Sequence, residues 1–206
     1  MSELPSKADL RRQVRERLRA VPDAELAVWS QELVCALQAR EDLWATPGTV
    51  AIFGGLRNEP DLITGLLPWL TARGWRVVLF AVDGVELRPF EVTGMHDLKR
   101  GMLGIWEPVA DPLRAVPLVE LTLILVPGLA FSQHDGSRLG RGGGFYDRFL
   151  ARPEVTATRV GICFESQLFA HLPCEAHDAQ VSELMTEKRA IIAQTSTNGC
   201  QKTVKE

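Results

Sequence analysis

The stretch LTLILVPGLAFSQHDGSRLGRGGGFYDRF, residues 121–149, decides how this chain is read. Its opening, LTLILVPGLAF, is a near-continuous apolar run, the pattern of a strand buried on both faces. Such strands belong to parallel sheets covered by helices. Past this run the composition changes: Gly140, Gly142, Gly143 and Gly144 alternate with Arg138, Leu139 and Arg141, and a helix is expected over about 143–151. Ligands of open α/β sheets sit beyond the carboxyl ends of strands. Glycines there let backbone N–H groups converge on an anion, a helix start adds its positive end, and arginines supply forked donors. Two readings fit: a cradle for phosphate, or a surface loop whose adjoining helix packs Phe145, Tyr146 and Phe149 on the sheet.

Outward from this stretch the chain alternates strands and helices. Ser6 and Asp9 have the spacing of a capping box, and Leu10, Val14 and Leu18 recur at helical intervals, so residues 6–20 read as an arginine-rich amphipathic helix. A second helix is expected over 24–44. TVAIFGG reads as a buried strand ending at a glycine loop, 60–73 as a helix and WRVVLFAV as the next strand, together a β-α-β unit. Beyond them come a β-rich ELRPFEV and a loop through LKRGMLGIWEP. After the glycine stretch come the strand TRVGICF, a short helix SQLFAHL, and a strand pair near QVSEL and RAIIA. The pattern predicts an α/β layer fold, a mainly parallel sheet with helices on both faces, in one domain over residues 1–192. Residues 193–206 are polar and aperiodic, a tail expected to be disordered.

With 46% hydrophobic residues the chain can bury a full core, and a net charge of −3 argues against nucleic acid or an acidic membrane as the main partner. Cys35, Cys163, Cys174 and Cys200 form no C-x-x-C pair and read as four ordinary thiols. The N-terminus lacks the apolar core of a signal peptide and no apolar run approaches a membrane span, so the expected location is the cytoplasm. The expected state is a monomer or weak homodimer.

Several chemistries are excluded by spacing. His96, His134, His171 and His177 form no zinc-type ligand pair, and no G-x-S-x-G elbow occurs. The glycine stretch is neither of the standard nucleotide fingerprints: G-x-x-x-x-G-K-[ST] is absent, and Phe145 stands where G-x-G-x-x-G needs its last glycine. Asp147 is placed to coordinate a magnesium ion bridging phosphates. Asp178 is either a second metal carboxylate or a turn residue. Glu59, just past the first strand's glycine loop, is either an acceptor for heterocycle N–H groups or a solvated charge. Lys7 and Arg11 share one helix face, solvated or turned to phosphate. Trp106 is either core or a stacking platform.

Taken in order, KADLR at 7–11, AIFGGLRNEPD at 51–61, GIWEP at 104–108, VPGLAFSQHDGSRLGRGGGFYDRFL at 126–150 and HDAQVSELMTE at 177–187 resemble the 5-formyltetrahydrofolate cyclo-ligase family. The resemblance implies a fold similar to the sugar-phosphate isomerase and CoA-transferase group. It implies an enzyme that uses ATP and Mg2+ to turn 5-formyltetrahydrofolate into 5,10-methenyltetrahydrofolate, releasing ADP and phosphate. By this resemblance Lys7, Ala8, Asp9, Leu10 and Arg11, with Arg138, Leu139, Gly140, Arg141, Gly142, Gly143, Gly144, Phe145 and Tyr146, match nucleotide-contacting positions. Gly54, Glu59, Trp106 and the segment from Arg141 to Phe145 match folate-contacting positions. Asp147 and Asp178 match the metal carboxylates, and Arg138, Arg141 and Asp147 are the residues assigned to catalysis. Phe145 replaces the first Tyr of the usual Tyr-Tyr-Asp, removing a hydroxyl but keeping a ring face, and Ser182 stands where an Asp is usual. Those two departures keep open a second reading, a non-catalytic folate- or nucleotide-binding relative.

Overall fold

The computed structural model describes residues 5–101, 104–175 and 177–194. Its frame is assembled from β1 (Thr49–Ala51), β2 (Arg76–Asp83), β3 (Glu86–Val92), β6 (Leu123–Pro127), β9 (Thr158–Ile162), β11 (Glu183–Met185) and β12 (Ala190–Ile192). These form a seven-stranded sheet in the order β12-β11-β9-β6-β1-β2-β3. Strands β11, β9, β6, β1 and β2 run parallel, while β3 and β12 close the edges in antiparallel register.

The central strand shows why the apolar run behaves as it does. Leu123 and Leu125 of β6 enter one core, with Leu33 and Leu37 of α2 (Asp23–Gln38) and Leu66 and Leu70 of α4 (Leu66–Thr71). Ile124 and Val126 point the other way, into a core shared with Phe149 and Leu150 of α5 (Phe145–Leu150). Every residue of the strand up to Val126 is buried because both sheet faces are covered, as expected. A third cluster carries Leu10, Val14 and Leu18 of α1 (Lys7–Arg19) against Leu129, Ala130, Leu139 and Phe164. Ser6 caps α1 as its spacing predicts, accepting the Asp9 N–H at 3.1 Å.

The apolar run is two strands. At Gly128 a Cβ would meet the Phe131 ring at 2.6 Å, so only glycine lets the chain leave the sheet there. It continues as β7 (Ala130–Ser132), which pairs with β8 (Arg138–Leu139) and β10 (Leu168–Phe169) in a small second sheet. That step lays the glycine stretch over the carboxyl end of β6.

Four expected elements need correction. The helix expected at 24–44 breaks after Gln38 and resumes as α3 (Glu41–Trp44); Trp44 Nε1 turns back to donate to the Leu37 carbonyl at 2.6 Å. The helix expected at 60–73 starts only at Leu66, because the Asp61 carboxylate accepts the Ile63 and Thr64 amides and holds a turn. LKRGMLGIWEP contains a hairpin, β4 (Leu98–Arg100) against β5 (Trp106–Pro108). SQLFAHL is a 3-10 turn leading into β10, fixed by the buried Gln167 amide, which donates to the Gly128 and Leu129 carbonyls. Cys35 and Cys163 are free thiols, while Cys174 is disulfide-bonded, against the reading of four plain thiols. Backbone pairing runs on through Ala193 and Gln194, and the rest of the expected tail lies outside the described residues. No helix among the described residues is long and apolar enough to cross a membrane.

Candidate active site

The glycine stretch is an open loop held from behind. Helix α1 grips it by its carbonyls: Arg11 Nε donates to the Gly140 oxygen at 2.9 Å and Arg15 Nη2 to the Arg141 oxygen at 3.1 Å. The amides of Gly140, Gly142, Gly143 and Gly144 donate to no group among the described residues. Gly142 (φ 111°) and Gly144 (φ 66°) adopt left-handed conformations that side chains disfavour. A row of unused N–H groups backed by cations is the anatomy of an anion cradle.

Arg138 lies under this loop. Its side chain is 4% exposed; Nη2 donates to Asp147 Oδ1 at 2.7 Å and Nη1 to the Pro127 carbonyl at 3.3 Å, while Nε is buried without a partner among the described residues. Asp147 Oδ1 also accepts the Ala179 amide at 3.3 Å, which draws the segment carrying Asp178 against α5. Asp178 Oδ2 accepts from Lys7 Nζ at 2.5 Å and from the Glu175 amide at 2.7 Å. Each aspartate therefore commits one oxygen to a cation and leaves the other lightly engaged. Among the described residues no group of three or more His, Cys, Asp or Glu side chains is placed to hold a metal ion. A Mg2+ that keeps waters and phosphate oxygens needs only one or two carboxylates, and Asp147 and Asp178 are the two that would supply them.

Of the five residues at 7–11, Arg11 reaches the glycine loop, and Lys7 reaches Asp178 and Glu175. Leu10 is buried in the core, Asp9 bonds Ser6 and Arg12, and Ala8 is exposed. Tyr146 packs edge-on to Phe80 with ring centroids 5.9 Å apart, and the Arg138 guanidinium carbon lies 5.6 Å from its ring centroid. Burial, with the Glu59 carboxylate adding to it, pushes the Tyr146 phenol well above its ordinary pKa, so it stays protonated at neutral pH. Phe145 is half-buried, with the Arg148 guanidinium 5.3 Å from its ring centroid.

Beside the loop opens a cavity of about 920 Å³. Gly54, Glu59 and Trp106 line it, whereas Arg141, Gly142, Gly143, Gly144 and Phe145, also expected at the folate, are not among its lining residues. Gly54 is there because a Cβ would lie 1.8 Å from the Trp106 carbonyl oxygen: the strand-end loop and the hairpin touch backbone to backbone. Glu59 is nearly buried, with Oε2 accepting the Leu56 amide at 2.9 Å and Oε1 accepting Arg141 Nε at 2.7 Å. Arg141 also donates through Nη2 to Asn58 Oδ1 at 3.3 Å. Arg141 thus ties the glycine loop to Glu59 on the cavity wall, although no residue of the loop lines the cavity itself.

The opposite wall comes from α2, through Ser30, Gln31, Val34 and Gln38, with Arg100 from the hairpin; sequence reasoning missed these residues. Ser30, Val34 and Gln38 recur at helical spacing on one face, the signal that could have found them. A smaller cavity of about 520 Å³ lies along the end of α5 and includes Asp178 but none of the other predicted site residues.

A parallel-sheet fold with an anion-type loop over a strand end and an adjoining deep cavity defines a small-molecule enzyme of the α/β class. A family model described as the 5-formyltetrahydrofolate cyclo-ligase family matches residues 3–187. The chain is 32% identical over 194 residues to a 5-formyltetrahydrofolate cyclo-ligase of Mycolicibacterium smegmatis, covering 91% of this chain and 97% of that protein. It is 29% identical over 180 residues to the Escherichia coli K12 protein of the same name, covering 85% and 97%. The NMR structure of Aquifex aeolicus 5,10-methenyltetrahydrofolate synthetase superposes with a TM-score of 0.77 at 28% identity, over 97% of this chain and 96% of that one. The Mycoplasma pneumoniae 5,10-methenyltetrahydrofolate synthetase, at a TM-score of 0.72 and 20% identity over 89% of this chain and 99% of that one, shares the fold. The chain belongs to the 5-formyltetrahydrofolate cyclo-ligase family and is a ligase of that type.

Proposed function

We propose that this enzyme converts 5-formyltetrahydrofolate to 5,10-methenyltetrahydrofolate, consuming ATP with Mg2+ and releasing ADP and phosphate. The observation that supports this most strongly is the Arg141–Glu59 pair, which sets a loop of unused amides against the mouth of a cavity large enough for a reduced folate.

The formyl group on N5 is amide-like and a poor electrophile. Transfer of the γ-phosphoryl to the formyl oxygen makes a P–O bond and breaks the bond to ADP. N10 then attacks the activated carbon and loses its proton, and phosphate departs with the formyl oxygen, leaving the methenyl bridge. No protein nucleophile is required, so catalysis rests on alignment and charge stabilisation.

The residues divide accordingly. The Gly140 to Gly144 amides, Lys7 and Arg11 would surround the phosphates, and Arg141, anchored on Glu59 through Nε, has Nη1 left for the phosphoryl. Arg138 acts through Asp147, fixing it from beneath the loop. Asp147 and Asp178 would hold Mg2+, which supplies charge neutralisation on the phosphate oxygens. Glu59 would accept pterin N–H groups, with Trp106 and Phe145 flanking the ring system. The reaction calls for small molecules alone, with no nucleic acid or membrane, in a cytoplasmic monomer or weak homodimer.

The test is to follow the methenyl chromophore with purified protein, 5-formyltetrahydrofolate, ATP and Mg2+, omitting each in turn. Turnover that needs all of them is expected. Folate binding without turnover would overturn this reading in favour of a non-catalytic relative.

A further inference from the structure

Three arginines stand on or beside the large cavity, and they differ in what holds them. Arg141 pairs with Glu59 and Arg57 with Asp23. Arg100 pairs with no carboxylate among the described residues. Its guanidinium carbon lies 3.7 Å from the Trp106 ring centroid, and Nη1 donates to the Gly104 carbonyl at 2.5 Å across the hairpin turn. The acids of the same wall are all satisfied: Asp23 by Arg57, Glu59 by Arg141 and the Leu56 amide, Asp61 by Ile63 and Thr64. Among the described residues the cavity therefore presents one cation without an anion, held in place by a ring and a carbonyl, with no partner for Nε or Nη2.

We propose that Arg100 is a subsite for a carboxylate of the folate's glutamyl tail, an inference that rests on the cavity being the folate pocket. A reduced folate carries N–H donors on its heterocycle and carboxylates at its far end. Glu59 still has lone pairs for the first, and Arg100 is the cation with no carboxylate partner among the described residues, so the molecule enters with its heterocycle toward Glu59 and its anionic end toward Arg100. A guanidinium stacked on an indole keeps its edge donors in plane and loses little freedom on binding, which suits a carboxylate better than a lysine would.

The test compares 5-formyltetrahydrofolate with an analogue whose glutamate is replaced by a simple amide, in the wild type, Arg100→Met and Arg100→Lys. The wild type should show a KM roughly three- to tenfold higher for the uncharged analogue. In Arg100→Met that discrimination should collapse to near one through a higher KM for the charged substrate, with Arg100→Lys between the two. Equal weakening of both substrates would assign Arg100 to packing on Trp106 and overturn the proposal, as would discrimination that survives in Arg100→Met. A wild type that turns over neither substrate would instead overturn the reading of the pocket on which the proposal stands.

Discussion

Arg141 Nε donates to Glu59 Oε1 at 2.7 Å, a contact between residues 82 positions apart that joins the glycine loop to the cavity. Neither side chain makes a site alone. In the proposed reaction they would set phosphate donors beside a heterocycle acceptor, the proximity a phosphoryl transfer between two bound molecules needs.

Glu59→Gln keeps the size of the side chain but replaces one acceptor oxygen with a donor. Folate affinity is expected to fall about tenfold or more, while the affinity for a non-hydrolysable ATP analogue changes much less. Titration calorimetry with each ligand measures the split, and equal losses would remove Glu59 from the pterin.

Asp147→Asn removes the charge that pairs with Arg138 and that, in the proposed mechanism, would hold Mg2+. Turnover should drop by at least about a hundredfold with folate binding retained. Because Arg138 is buried, the variant should also lose about 1–3 kcal/mol of stability. Wild-type turnover in Asp147→Asn would withdraw the metal role.

Gly54→Ala forces a Cβ into the Trp106 carbonyl. The hairpin must move, so a cost of about 1–3 kcal/mol is expected along with weaker folate binding. Chemical denaturation and ligand titration of the one variant report both effects, and an unperturbed cavity would show that this backbone contact is not what shapes it.

Asp97 anchors the chain as it enters that hairpin. Burial works against its charge, but the Thr93 amide at 2.7 Å and hydroxyl at 2.8 Å, together with Arg114, prevail and hold the carboxyl at about 2. A folded pKa below the unfolded value of about 3.9 gives stability that is present above that value and lost as pH falls through about 2. Asp97→Asn should be less stable by about 1–3 kcal/mol near neutrality, with the gap to wild type narrowing between about pH 4 and 2. Urea unfolding of both proteins across that range checks it; a gap that stays constant would remove the carboxylate's charge from the explanation.

The sheet was legible because Leu123 to Val126 alternate between two buried faces, and a strand covered on both sides leaves a local signature. The glycine loop was legible as a loop because Gly140, Gly142, Gly143 and Gly144 leave bare backbone in sequence, Gly142 and Gly144 of them at positive φ. The hairpin was not: Gly101 and Gly104 made LKRGMLGIWEP look like a loop, and it is the pairing of Leu98–Arg100 with Trp106–Pro108, braced by the distant contact of Trp106 with Gly54, that makes it strand. Gln167 likewise turned an apparent helix into a 3-10 turn through bonds to Gly128 and Leu129 that no local pattern announces. Ser30 and Gln38 on α2 carry no local mark of a site; the cavity against that helix face is what singles them out. The position of Arg138 under the loop was equally invisible, because a basic residue in a glycine stretch reads as exposed.

The most direct test of the central claim tracks one oxygen atom. 5-Formyltetrahydrofolate labelled with 18O in the formyl group is turned over with unlabelled ATP and Mg2+, and the released phosphate is examined by mass spectrometry. Transfer of the γ-phosphoryl to the formyl oxygen requires one 18O in each phosphate formed. Turnover that leaves the phosphate unlabelled and delivers the label to water would contradict it.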